Sequence, residues 1–240
     1  MAYAFVNAAV ANGTSVTKTV VASGNLLIVQ HSGGDGTNTP TISDTAGNTW
    51  TPATNSPSKD ATNGSSISVW TAIANGTGST TVTIGNAAAS FRNTSIEEWS
   101  GNATSSVNDQ GSGATNVAGQ TGTDQMVGNS ITPSVDNCLV KTWILDNAGT
   151  HDTTAIYAAG TGFTLRPTAS YDPVINAASE ANSASADVVQ TTAAAVTAKW
   201  SCANFADHAQ IFIASFKPFT GGGGGTATRT TNALPLVGVQ

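Results

Sequence analysis

The sequence predicts an all-β chain: an antiparallel β-sandwich built from two similar halves, with a flexible C-terminal arm. Three observations lead there. Short apolar or alternating runs bounded by Gly, Asn and Ser recur from end to end, helical periodicity is nearly absent, and five consecutive glycines near the C-terminus close off the patterned body. A chain of 240 residues with 39% hydrophobic residues can support one sizeable core.

The elements follow in order. Leu26 to Val29 is a continuous apolar run between Ser23-Gly24 and Ser32-Gly33-Gly34, as expected of a strand covered on both faces. SDTAGNTW, from Ser43 to Trp50, carries Ala-Gly-Asn at its centre and predicts a tight hairpin turn. From Ile67 the chain alternates, placing Ile67, Val69, Thr71 and Ile73 on one face and Trp70 on the other. Asn75 to Gly78 turns it into the alternating Thr81 to Ile84, and Thr94 to Ser100 forms the next strand, stopped by Gly101.

The second half repeats this order. DNCLVKTWIL (136–145) takes the place of GNLLIVQ, GFTLRP (162–167) that of NTWTP, and Val188 to Gln190 that of the Ile67 strand. AVTAKW (195–200) stands for TVTI and QIFIASFKP (210–218) for SIEEWSG. The halves span about 1–101 and 130–219 and are separated by a polar segment from about Asn102 to Asn129. One sandwich built from both halves is expected in preference to two small domains with open sheets. Ala177 to Ala186 is rich in Ala but has no apolar stripe, so a loop or short turn is expected.

Beyond residue 219 come a Gly-rich linker (220–225, with Gly221, Gly222, Gly223, Gly224 and Gly225 as the hinge) and an arm (226–240). Polyglycine holds no fixed geometry. The arm has one charge, Arg229, and an apolar stretch whose Leu234, Leu236, Val237 and Val239 are candidate docking anchors for the edge of a partner sheet. Pro235 limits which side of the arm can pair.

Composition restricts the partners. Charged residues are 9% of the chain, against roughly 25% in ordinary globular proteins. Solubility must rest on Thr, Ser, Asn and Gly. Eight Lys and Arg make no basic patch, which argues against nucleic acid. No run nears the roughly 20 apolar residues that span a bilayer, so membrane insertion is not expected, and the N-terminus does not read as a signal peptide. That pattern fits a virion or extracellular protein that either lost a leader or leaves the cell by assembly or lysis.

Constellations for chemistry are sparse. Glu97 and Glu98 are adjacent in a strand, point to opposite faces, and cannot form a glycosidase pair. One of them must face the sandwich interior or sit at its rim, as a rim Glu or one satisfied by Ser, Thr or backbone donors, with a sugar-contacting Glu as the alternative. His31, His151 and His208 lack metal-site spacing; His151-Asp152 near Asp146 and Asn147 reads as a polar loop, and Asp35 as a turn residue, before either reads as a ligand. No catalytic residue, metal or cofactor is expected. Cys138 and Cys202 are either two buried free thiols or one bridge across the sandwich. Of five tryptophans, Trp50, Trp70, Trp99, Trp143 and Trp200, core packing is expected for the group. Trp70 is the one placed to be exposed, as a possible ligand platform, or to cover a second layer.

The succession GNLLIVQ, ISDTAGNTWTP, SVWTAIANGTGSTTVTI, SIEEWSG and a closing strand ending in ASFKP, over about residues 14–218, resembles a recurrent β-sandwich module. Such modules occur in tail, fibre or capsid-surface proteins of bacteriophages and in large secreted bacterial proteins. The resemblance implies a jelly-roll or related sandwich and a role in display, adhesion or particle architecture. It carries no catalytic or metal-binding residues. The function expected is therefore that of a non-enzymatic structural protein attached through its arm, with other structural proteins of the same particle, or further copies of itself, as partners. The alternative is a carbohydrate-binding or adhesion module contacting a surface glycan.

Overall fold

Strands that are apolar without alternation need cover on both faces, and the fold supplies it by stacking four sheets. The computed structural model describes residues 2–34, 36–87, 92–118, 122–146, 156–171, 183–203 and 208–220. The first half runs β1 (Ala4–Asn12), β2 (Ser15–Val20), β3 (Leu26–Gly33), β4 (Thr41–Asp44), β5 (Thr51–Pro52), β6 (Ser58–Asp60), β7 (Ser65–Ile73), β8 (Gly78–Gly85) and β9 (Asn93–Ser100). The second runs β10 (Asn108–Ala118), β11 (Gly122–Ile131), β12 (Cys138–Asp146), β13 (Ile156–Ala159), β14 (Thr164–Tyr171), β15 (Ser183–Gln190), β16 (Val196–Ala203) and β17 (His208–Phe216).

The two halves share one topology. In the first, a large sheet ordered β1-β9-β3-β7-β5, with β6 also on β7, faces a small sheet ordered β2-β8-β4. In the second, β10-β17-β12-β15-β14 faces β11-β16-β13. The strand correspondences read from the sequence are those of the sheets: β3 with β12, β5 with β14, β7 with β15, β8 with β16 and β9 with β17. All pairings are antiparallel.

The large sheets pack on each other. Leu26, Ile28, Ile67, Val69 and Trp99 of one half meet Leu139, Trp143, Leu145, Phe212 and Phe216 of the other in a single buried cluster. Behind each large sheet lies a second core. Val16, Val29, Trp70, Val82, Ile84 and Ile96 fill the first half, and Met126, Val140, Ile144, Trp200 and Ile211 are among those filling the second. The result is four layers rather than one two-sheet sandwich shared by the halves. Leu27 and Val29 alternate with Leu26 and Ile28, so each face of β3 serves a different core.

Three local expectations are corrected. The polar segment 102–129 is not a separator: β10 and β11 occupy most of it and open the second half as β1 and β2 open the first. Its glycines explain the low hydrophobicity. A Cβ at Gly111 would overlap the Thr54 carbonyl oxygen and one at Gly113 the Ser58 hydroxyl, so these positions let β10 lie close against the first half. The SDTAGNTW turn does not close a hairpin, because β4 and β5 belong to different sheets. Asp44 gathers the N–H groups of Ala46 and Asn48, the Asn48 amide at 2.8 Å and the Trp50 indole at 2.6 Å. The chain thus folds on itself and steps across the sandwich. Ser183 to Ala186, expected in a loop, begins β15. Ser183 and Ser185 pair with Leu145 and Trp143, while Ala184 and Ala186 pack in the second half's core.

Candidate functional site

A chain with so few charges places several of them where no water reaches. Lys141 lies in the middle of β12, opposite Asp187 of β15 and Ala214 of β17. Its neighbours on the same face, Leu139, Trp143 and Leu145, belong to the core between the large sheets. Glu97 enters that core from β9 of the other half, and its Oε2 lies 2.6 Å from Lys141 Nζ, with side-chain exposures of 1% and 0%. Two further donors complete the carboxylate: Trp99 Nε1 at 2.9 Å on Oε2 and Ser185 Oγ at 2.8 Å on Oε1.

Aromatic rings wall this pair. Nζ of Lys141 stands 5.2 Å from the Trp99 ring centroid and 5.7 Å from that of Trp143, within cation–π range. Phe5 meets Trp99 edge-on at 5.2 Å and lies under the Arg166 guanidinium at 5.1 Å. Arg166 Nε is 3.0 Å from Asp187 Oδ1, and its 24% side-chain exposure makes it the group of the cluster nearest solvent. Burial pushes the Asp187 carboxyl above the usual carboxylate range; the negative charge of Glu97 adds to this, and Lys141 and Arg166 offset it only in part.

On the other side of β9, Glu98 faces the core beneath the first small sheet. Its Oε2 lies 2.6 Å from Nζ of Lys18, and both side chains are buried. The N–H groups of Val21 and Ala22 and the Asn25 amide also donate to it. Burial raises its pKa, but Lys18, Asn25 and the two backbone donors together outweigh that and hold it below the usual range. The opposite-face reading of the two glutamates holds. Their lysine partners were not foreseen, although a lone Lys inside each of the alternating runs TKT and VKT was a visible signal.

The other sequence candidates fall as follows. Trp70, the possible ligand platform, is 6% exposed and packs with Val16, Val82 and Ile84. It covers the second layer and presents no open ring face to a sugar. Trp99, Trp143 and Trp200 are buried and Trp50 is half-buried. Cys138 is a buried free thiol, so it forms no bridge; burial, then the Asp109 charge, raises it to about 11. Cys202 lies in β16. His31 is buried in β3 with Nδ1 2.9 Å from Thr94 Oγ1. Asp35, Asn147, His151, Asp152, the hinge Gly221 to Gly225 and the anchors Leu234, Leu236, Val237 and Val239 lie outside the described residues. Among those described, no three His, Cys, Asp or Glu side chains gather as a metal site would require.

A second feature lies at one pole. Ala2, Val135, Asp136, Asn137, Pro218, Phe219 and Thr220 line a groove of about 430 Å³. There Pro218 bridges to Asn102, Phe219 N–H donates to Gly101 O at 2.7 Å and Tyr3 Oη donates to Lys217 O at 2.6 Å. The chain thus enters and leaves the double sandwich at the same end. No protein-family model, curated protein or solved structure matches this chain.

Proposed function

We propose that this chain is a non-enzymatic structural protein of a virion or other extracellular assembly, displaying its β-body and attached through residues 226–240. The distribution of apolar side chains carries this reading. Among the described residues only Val10 on β1, Val21 just past β2 and Val127 on β11 are exposed large hydrophobics. The described part of the body therefore offers no broad apolar face to a partner, whereas the arm holds four aliphatic residues in its last seven. Burying those four on a partner contributes at about 25 cal/mol per Å² of apolar area, offset by the cost of ordering the arm.

Two further observations support it. The arm follows Thr220 at the pole where both halves are tied together, so the body hangs from one end. Within each half the wound order, strands one, nine, three and seven over two, eight and four in the first, supports a jelly-roll-like reading. Its partners on this reading are other structural proteins of the same particle, or further copies of the chain.

The test replaces Leu236 and Val237 together by Asp in the full chain and follows self-assembly or attachment by sedimentation. Loss of attachment with an unchanged body spectrum is the expected result. Assembly equal to that of the parent would show that the arm does not dock.

A further inference from the structure

Lys141 and Asp187 stand at directly paired positions of the β12–β15 ladder, so their side chains share a face. That face is the closed one between the large sheets, where Lys141 is 0% and Asp187 4% exposed. Glu97 touches the Lys141 amine from the opposite sheet at 2.6 Å. The Lys141 amine rests on the Glu97 carboxylate, and the Asp187 carboxyl, at the paired position of the same face, feels the charge of the amine without touching it. A turn of the lysine side chain from one to the other brings together the nucleophile, electrophile and proton carrier that amide formation requires. We propose that Lys141 Nζ and Asp187 Cγ become joined by an intramolecular amide bond, with Glu97 carrying the protons.

The surroundings divide the roles. Glu97 is in direct contact with the amine and is held in place by Trp99 Nε1 and Ser185 Oγ, so it is the group set to take the amine's proton. Asp187 is drawn toward its neutral form, the form an amine attacks, first by burial and then by the Glu97 charge. The Arg166 guanidinium, with Nε 3.0 Å from Oδ1, sets a positive charge beside the oxygen on which negative charge develops in the tetrahedral intermediate.

The step balances. The Lys141 ammonium gives a proton to Glu97, and the nitrogen lone pair forms a bond to Cγ of protonated Asp187. The Cγ–OH bond then breaks, and the hydroxyl leaves as water with an amine proton relayed by Glu97. One ammonium, one carboxylic acid and the Glu97 carboxylate become one secondary amide, one water and a protonated Glu97, which keeps the remaining proton and so ends as a neutral carboxyl. A neutral amide replaces two buried ionisable groups, which removes their desolvation cost. The closed aromatic wall keeps water from reversing the step.

The second buried pair is a control within the same molecule. Lys18 and Glu98 are equally close. Among the described residues no second carboxyl touches that pair, and Glu98 is held ionised by Lys18, Asn25 and two backbone donors. Lys18 should remain a free amine.

The experiment is intact-mass measurement of the denatured full-length protein, followed by proteolysis and tandem mass spectrometry. The expected result is a mass one water below that of the sequence and a branched peptide joining Lys141 to Asp187. Lys141→Arg keeps the charge but cannot form the bond and should restore the full mass. Glu97→Gln should restore it in whole or in large part, and Lys18→Arg should leave the deficit in place. A parent protein with the full sequence mass overturns the proposal, as does a branch through Glu97, Glu98 or Lys18.

Discussion

Glu97 and Glu98 are consecutive in β9, yet their carboxylates lie in different cores, each 2.6 Å from a buried lysine. Lys141 reaches Glu97 from the second half, and Lys18 reaches Glu98 from the small sheet of the first. The large sheet of the first half is thus held on both faces by an ion pair at the same place along one strand. The four residues come from three strands, β2, β9 and β12, each in a different sheet, so the two pairs tie three sheets together.

The two members of the Lys18–Glu98 pair should not be equivalent. Glu98→Ala leaves a buried ammonium with only the Thr19 carbonyl as acceptor and takes the acceptor from three further donors, and the expected loss is about 3–5 kcal/mol. Lys18→Met leaves Glu98 with Val21, Ala22 and Asn25. Its expected loss is smaller, about 1–3 kcal/mol. Urea midpoints of the two variants check the order, and an equal or reversed order would mean that the other donors contribute nothing.

Acid should weaken the protein through His31. Burial, and next the Arg92 charge, lowers its pKa from 6.5 to about 4. The unfolded chain then binds more protons than the folded one in that interval. The stability that the neutral imidazole provides is complete above pH 6.5 and declines as pH falls toward 4. The loss is on the order of 3 kcal/mol, at 1.36 kcal/mol per unit. Denaturation measured from pH 7 to 4 should show this slope, and His31→Asn should flatten it.

Gly113 should tolerate no larger side chain. A Cβ there would overlap Ser58, whose hydroxyl also accepts from the Gln210 amide at 2.9 Å. Gly113→Leu should force β10 away from the first half and cost about 1–3 kcal/mol or more. Gly162→Ala, by contrast, meets no atom and bears only the strain of φ +90°. Parallel thermal melts of the two variants separate packing from backbone strain.

Truncation after Thr220 should leave the melting temperature within a few degrees of the parent. β17 ends at Phe216, and the contacts of Lys217 to Phe219 are made within the body. A fall of roughly ten degrees, more than about 2 kcal/mol at this size, would place the arm in the core.

The succession of strands was legible because short apolar runs and turn residues are local signals. The parallel between the halves was legible for the same reason: DNCLVKTWIL and GNLLIVQ have the same place in the order. The number of layers was not. It depends on both faces of β3 and β12 being covered, which a continuous apolar run permits without saying by what. β10 and β11 were missed because a strand made of Gly, Ser and Asn carries no apolar face to read. The Lys–Glu pairs join residues 44 and 80 positions apart, and only the assembled sheets bring them within reach. Trp70 was placed on the correct face, but its cover comes from β2 and β8, elements whose packing the local pattern does not state.

The position of β17 has a mechanical consequence. It lies between β10 and β12, antiparallel to both, and it is the last strand before the pentaglycine. Tension applied through Thr220 runs along the axis of β17 and loads the hydrogen bonds on both of its sides in shear. An edge strand pulled from its end could peel away one bond at a time. A central strand so flanked must slide past two neighbours at once, so a body suspended from this end resists extension far better than one hung from β1 or β14.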